Sequence, residues 1–267
     1  MRRTVCLRAF LSMALPAVAA CGGTAGNHLV TFQAAAAGAP DAAHPFTFTN
    51  DVGYDVTLTA AVLHIGAVYM TQTLPISGAQ ATSCILPNNV DVGEVVKGMD
   101  VDLLSPDPQP FPIAGEGTDL SAAGGEVWLT GGPVDADDDP TPILHIEGAA
   151  SKSDAAYPFT GTITIGSNRK KPPPTATMPG ANPICKERIV NRIPIDFTLA
   201  EGGTMTVRAD ARALLAIIDF SQLGPATGTP PAFVFDDHSG TPASLVLYNA
   251  LHFATTVYRF EWASPTP

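Results

Sequence analysis

The sequence predicts an all-β fold, an antiparallel β-sandwich of immunoglobulin-like or related type with one or two short helices. Three observations lead there. Runs such as PFTFTN and YDVTLTAAVLHIGAVYM alternate apolar and polar residues with period two and are rich in β-branched side chains. Turn signals separate the runs, at Pro87-Asn88-Asn89, Pro106-Asp107-Pro108, Gly124-Gly125, Gly131-Gly132-Pro133 and Gly202-Gly203. The 25 prolines are spread along the chain and punctuate it against long helices. Regular strand–helix alternation, which a parallel doubly wound sheet requires, is absent.

The chain begins MRRTVCLRAFLSMALPAVAAC. Arg2 and Arg3 form a positive start, Phe10 to Ala20 an apolar stretch, and Val18-Ala19-Ala20-Cys21 places two small residues before a cysteine. The apolar stretch is about half of what a bilayer-spanning helix needs. This N-terminus resembles the signal peptide of a bacterial lipoprotein. The resemblance implies removal of residues 1–20, lipidation of Cys21 (diacylglycerol on sulfur, usually palmitate or another acyl chain on the amine), and a cell-envelope address. Two or three acyl chains hold a protein stably where one does not. Gly22 and Gly23 fit onward transport to the outer membrane, since an Asp after the cysteine is what retains some lipoproteins at the inner membrane. The alternative is an ordinary secretory signal cut after Ala17-Val18-Ala19.

Processing changes the charge and cysteine counts. Removing residues 1–20 takes away Arg2, Arg3 and Arg8 and no acidic residue, so 14 Lys+Arg become 11 against 25 Asp+Glu, a formal charge of −14. That excludes nucleic acid as a natural partner and leaves membrane attachment to the lipid rather than to charge. Cys6 is lost and Cys21 is consumed, leaving Cys84 and Cys185 as one pair in an oxidising compartment, where a disulfide is expected. It would close a loop of about 100 residues, worth about 4–5 kcal/mol. Two buried thiols or two metal ligands are the alternatives.

Residues 21–44 are Gly- and Ala-rich with almost no charge and are expected to be a lipidated cysteine followed by a flexible tether, with a reach on the order of 25 Å. A first strand at Leu29-Val30-Thr31-Phe32 is the alternative. Residues 45–264 are expected to be a single sandwich domain, the alternative being two β domains joined near 168–183. Val56, Leu58, Ala60 and Val62 share one face of the first long strand, with Thr57 and Thr59 on the other. Further strands are expected at 82–86, 90–96, 101–104, 126–130, 143–148, 159–165, 189–199 and 204–208. The strand at 257–262 should put Tyr258, Phe260 and Trp262 on its buried face. Helices are expected after Asp210, a candidate N-cap whose helix would bury Leu214, Leu215 and Ile218, and over 243–253.

Candidate sites are few. Asp135, Asp137 and Asp139 in the run DADDD resemble the first half of a calcium loop, since Ca²⁺ takes six to eight oxygen ligands. Pro140 stands where an EF-hand needs Gly and Ile146 where it needs Glu, so a solvated acidic turn is the alternative. His145 and Glu147 should share a strand face, and Asp236-Asp237-His238 forms a polar cluster. His64 reads as a hydrogen-bonded core histidine. No histidine pair has zinc spacing. Arg169, Lys170, Lys171, Lys186, Arg188 and Arg192 are six of the 11 mature basic residues, and with the intervening Pro-rich KKPPPTATMPGANP they suggest an exposed patch for an acidic envelope protein or polymer, or simply a solvated loop. Trp128 is either core or a stacking platform for a sugar. Gly-x-Ser-x-Gly, His-Glu-x-x-His, P-loop and dinucleotide motifs are all missing. The expected function is therefore a lipid-anchored, non-catalytic binding or scaffolding protein. The alternatives are a metal- or small-ligand-binding module, calcium first, and a hydrolase with a non-local site.

Overall fold

The first strand begins at Leu29, well inside the segment expected to be a tether. The computed structural model describes residues 27–74, 90–130, 139–165, 188–236 and 240–265, with the backbone alone for 139, 140 and 191. Along β1 (Leu29–Ala37) the side chains of Val30, Phe32, Ala34 and Ala36 are buried. The expected tether is thus corrected: residues 29–37 are part of the sandwich. An Ala-rich strand has little intrinsic β preference, and β1 is held by its neighbours on both sides. It pairs antiparallel with β8 (Gly115–Thr118) and β7 (Gln109–Pro110), and parallel with β13 (Thr204–Ala209).

The remaining strands are β2 (Phe46–Thr49), β3 (Asp55–Ile65), β4 (Ala67–Thr71), β5 (Asp91–Val95), β6 (Met99–Asp102), β9 (Ser121–Trp128), β10 (Asp139–Lys152), β11 (Ala155–Ile165), β12 (Ile189–Thr198), β14 (Phe233–Asp236) and β15 (Tyr258–Ala263). They form two sheets in a sandwich-like arrangement, so the all-β sandwich expected from the sequence is the fold observed. The larger sheet runs β12-β9-β4-β5-β8-β1-β13-β15, with β7 also on β1. The smaller runs β14-β11-β10-β3-β2, with β6 also on β3. Ladders are antiparallel except β1–β13 and β11–β14. Parallel neighbours need long connections, and both pairs join strands far apart in sequence.

One hydrophobic core cluster extends from Val30 and Phe32 through Leu58, Leu63, Ile146 and Phe159 to Leu247 and Phe260, and so draws on both sheets. Along β3, Val56 and Leu58 are buried, but a β-bulge in the β3–β10 ladder shifts the parity by one residue, so Ala61, Leu63 and Ile65 are buried beyond it and Ala60 and Val62, expected on the face of Val56 and Leu58, turn to the other side. On β15, Tyr258 and Phe260 are buried, and Trp262 stacks on Phe197 at 5.3 Å between ring centroids.

Short helices cover the end where β13 stops and β15 starts. In α1 (Ala211–Leu215) the Asp210 side chain accepts from the Arg212 backbone N–H, as an N-cap should, and Leu214, Leu215 and Ile218 are buried. Thr241 caps α2 (Pro242–Ala250), and α3 (Ala254–Val257) leads into β15. The buried Asn50 ties the β2–β3 turn to this end: its Nδ2 donates to the Leu215 and Ile218 carbonyls while its Oδ1 accepts from the Tyr54 N–H. Nearby, Asp219 accepts from the Tyr54 and Ser221 hydroxyls, which hold its carboxyl down at about 2. Among the described residues no helix is long and apolar enough to cross a membrane.

The seating of β1 is testable. Phe32 is 1% exposed and meets Trp262 edge-on at 5.6 Å. Phe32→Ala should cost about 3–5 kcal/mol, read as a lowered urea midpoint. A tether residue would leave the midpoint unchanged.

Candidate functional site

The smaller sheet brings together residues that lie far apart in sequence. A lateral row runs across five strands: Asp102 on β6 faces Val62 on β3, Val62 faces His145 on β10, His145 faces Thr162 on β11, and Thr162 faces Asp236 on β14. One step along, His64 on β3 faces Asp100 on β6. Val62 and His64 alternate with the buried Ala61, Leu63 and Ile65, so this row lies on the outer face.

Three histidines on or beside that face each meet a carboxylate. His44 Nε2 lies 2.7 Å from Asp102 Oδ2, and His64 Nδ1 lies 2.7 Å from Asp100 Oδ1. His145 Nε2 lies 3.2 Å from Glu147 Oε1, with its Nδ1 3.3 Å from the Thr162 hydroxyl. The sequence reading of His145 and Glu147 on one face holds. His64 is hydrogen-bonded as expected, but its side chain is 23% exposed, at the sheet surface rather than in the core. Among the described residues, no three His, Cys, Asp or Glu side chains converge closely enough to hold a metal ion.

The segments singled out in the sequence share a root on this sheet. Asp139 opens β10 and pairs with Ile165, the last residue of β11. Asp236 closes β14, which runs parallel to β11. Asp139, Ile165 and Asp236, the described residues that border those segments, therefore lie at the same end of one sheet. Asp135, Asp137, Arg169, Lys170, Lys171, Lys186, Asp237 and His238 lie outside the described residues, as do Cys21, Cys84 and Cys185 and the strand expected at 82–86. Asp139 is the first residue of β10.

The basic patch is corrected at one position. Arg188 is 0% exposed, and its carbonyl accepts from the Leu129 N–H. It shares strand parity with the buried Val190, so its side chain points inward and offers nothing to a surface partner. Arg192, by contrast, is exposed at an irregularity in the β12–β9 ladder, with φ of 67°.

The larger sheet carries a second polar row that the sequence did not reveal. Glu126 on β9 faces Tyr69 on β4, Tyr69 faces Glu94 on β5, and Glu94 faces Glu116 on β8. These residues are scattered from position 69 to position 126 of the sequence and only the strand register aligns them. Trp128 packs on Tyr69 with 4.9 Å between centroids, half-buried rather than standing free as a sugar platform. Its indole N–H donates to Glu126 Oε2 over 3.3 Å. Glu126 is 7% exposed, and burial pushes its carboxyl above the usual range against the pull of that hydrogen bond, with Asp91 adding repulsion. Burial, then Glu94, Asp91 and Glu126, push the Tyr69 phenol up as well.

No family model matches the chain, and no curated protein matches it. Among solved structures, MbnP from Methylosinus trichosporium is similar at a TM-score of 0.39 and 11% identity, over 90% of this chain and 100% of that one.

Burial disfavours the charged form of Glu126. The cost is absent below about 4.5, where an ordinary Glu is protonated, and fully present above the raised value in the fold. Glu126→Gln should therefore raise the thermal midpoint relative to the wild type at pH 8 and lose that advantage at pH 4, measured by scanning calorimetry across the range.

Proposed function

We propose that the mature protein is a lipid-anchored cell-envelope protein whose β-sandwich is a non-catalytic binding scaffold. The observation that supports this most is the common root of the acidic run, the 236–238 cluster and the basic segment at one end of the smaller sheet. Segments projecting together from a rigid sheet are the usual way a sandwich presents a binding surface. Their mixed charge, with Asp135, Asp137 and Asp139 in one segment and Arg169, Lys170 and Lys171 in another, suits an envelope protein or a charged envelope polymer rather than nucleic acid. Cys21 supplies the lipid, and Cys84 with Cys185 supplies the expected disulfide. The outer membrane is the expected location, with Gly22 and Gly23 behind the cysteine.

A photo-crosslinking residue at position 169 in intact cells should give one discrete adduct with an envelope component. The same residue at position 154, on the β10–β11 turn at the other end of the smaller sheet, should give none. Equal labelling from both positions would remove the proposed surface.

A second reading, a metal- or small-ligand-binding module, is favoured by the three histidine–carboxylate pairs beside the root of the acidic run. Carboxylates commonly orient metal-binding imidazoles in this manner. A thermal shift series with Ca²⁺, Zn²⁺ and Cu²⁺, each against chelator, should raise the midpoint with at least one ion, and Asp135→Asn/Asp137→Asn/Asp139→Asn should abolish the rise. No shift with any ion excludes this reading.

A further inference from the structure

The start of β1 limits how far the sandwich can stand from a lipid on Cys21. Seven residues, Gly22 to His28, separate that cysteine from Leu29. Fully extended, they allow about 28 Å between the two Cα atoms. β1 is itself about 30 Å long, so the helical end of the domain lies a full strand length farther away.

The end near Leu29 is set by the strand directions. It holds the start of β1, the end of β8, the start of β9 and the end of β4, and the His28 carbonyl accepts from the Asp119 N–H there. Leu29 is 87% exposed and Val90 50% exposed. Leu74 is also exposed, two residues past Gln72, whose N–H donates to the Val90 carbonyl. Leu29 lines a shallow concavity of about 300 Å³ with Asp91, Glu94, Glu116 and Thr118. This end therefore offers aliphatic side chains next to carboxylates, with no Lys or Arg among the described residues lining the concavity.

We propose that the anchored sandwich rests on the bilayer by this end, with Leu29, Leu74 and Val90 against the lipid surface and α1–α3 pointing away. The proposal depends on the lipid-anchor reading of Cys21. The short connection brings this end to the surface, and burial of three aliphatic side chains favours contact. The carboxylates around Leu29 disfavour an anionic surface, so the occupant is zwitterionic lipid.

The test is hydrogen exchange of the lipidated full chain on phosphatidylcholine vesicles, compared with soluble Cys21→Ala, alongside vesicle flotation. Exchange should slow in peptides spanning 71–74 and 118–121 and stay unchanged over 242–250. Adding phosphatidylglycerol should reduce the slowing. Leu29→Glu/Val90→Glu, at exposed positions, should still float but lose the slowing. Flotation without slowing at this end, or with slowing over 242–250, overturns the orientation and leaves the anchor standing. Failure of the wild-type chain to float overturns both.

Discussion

The larger sheet depends on β1. On one side of it lies the arc β12-β9-β4-β5-β8, and on the other lies β13-β15. β1 supplies the ladder that joins them, pairing with β8 over its first half and with β13 over its second. Its composition suits that place. Phe32 fills the space over Gly115, where a Cβ would sit 2.1 Å from the ring. The small Ala34 to Ala37 let the chain pass close, and at Gly38 a Cβ would meet the Leu103 carbonyl at 2.1 Å. Larger residues along this stretch would push the 103–105 segment off the strand.

Much of the sandwich was legible in the sequence because period-two alternation reports burial on one face. β3, β11 and β15 fall where that pattern puts them, and Asp210 caps its helix as its position suggests. β1 was only half legible: Leu29-Val30-Thr31-Phe32 offered a strand as the alternative to a tether, but the alanines after it have low strand preference and read as linker, and its pairing partners are set by the tertiary fold. Arg188 was misjudged because charge suggests solvent, whereas its parity with Val190 on β12 turns it inward. The histidine–carboxylate pairs were half legible: His145 and Glu147 are two apart on one strand, but strand pairing brings His64 to Asp100, and the loop before β2 brings His44 to Asp102. The Glu126–Tyr69–Glu94–Glu116 row belongs to the same class, since four strands contribute one residue each.

The two polar rows differ physically. On the smaller sheet Asp102, Asp100 and Glu147 each meet an imidazole at 2.7–3.2 Å. On the larger sheet Glu94 and Glu116 face each other directly, a like-charge pair that weakens the ladder. The β5–β8 ladder is correspondingly short, with two paired positions.

The parallel pairing of β1 with β13 also sets the order in which the molecule can be completed. A chain leaves the ribosome N-terminus first, so β1 emerges early while β13 is still unmade. Until residues 204–209 arrive, one edge of β1 offers unpaired backbone groups, the kind of edge that recruits other chains. Its four consecutive alanines are a poor template for such recruitment, lacking the β-branched and aromatic side chains that build tight interstrand zippers. The same small residues that let β1 sit deep in the finished sheet thus keep it inert while it waits for its partner.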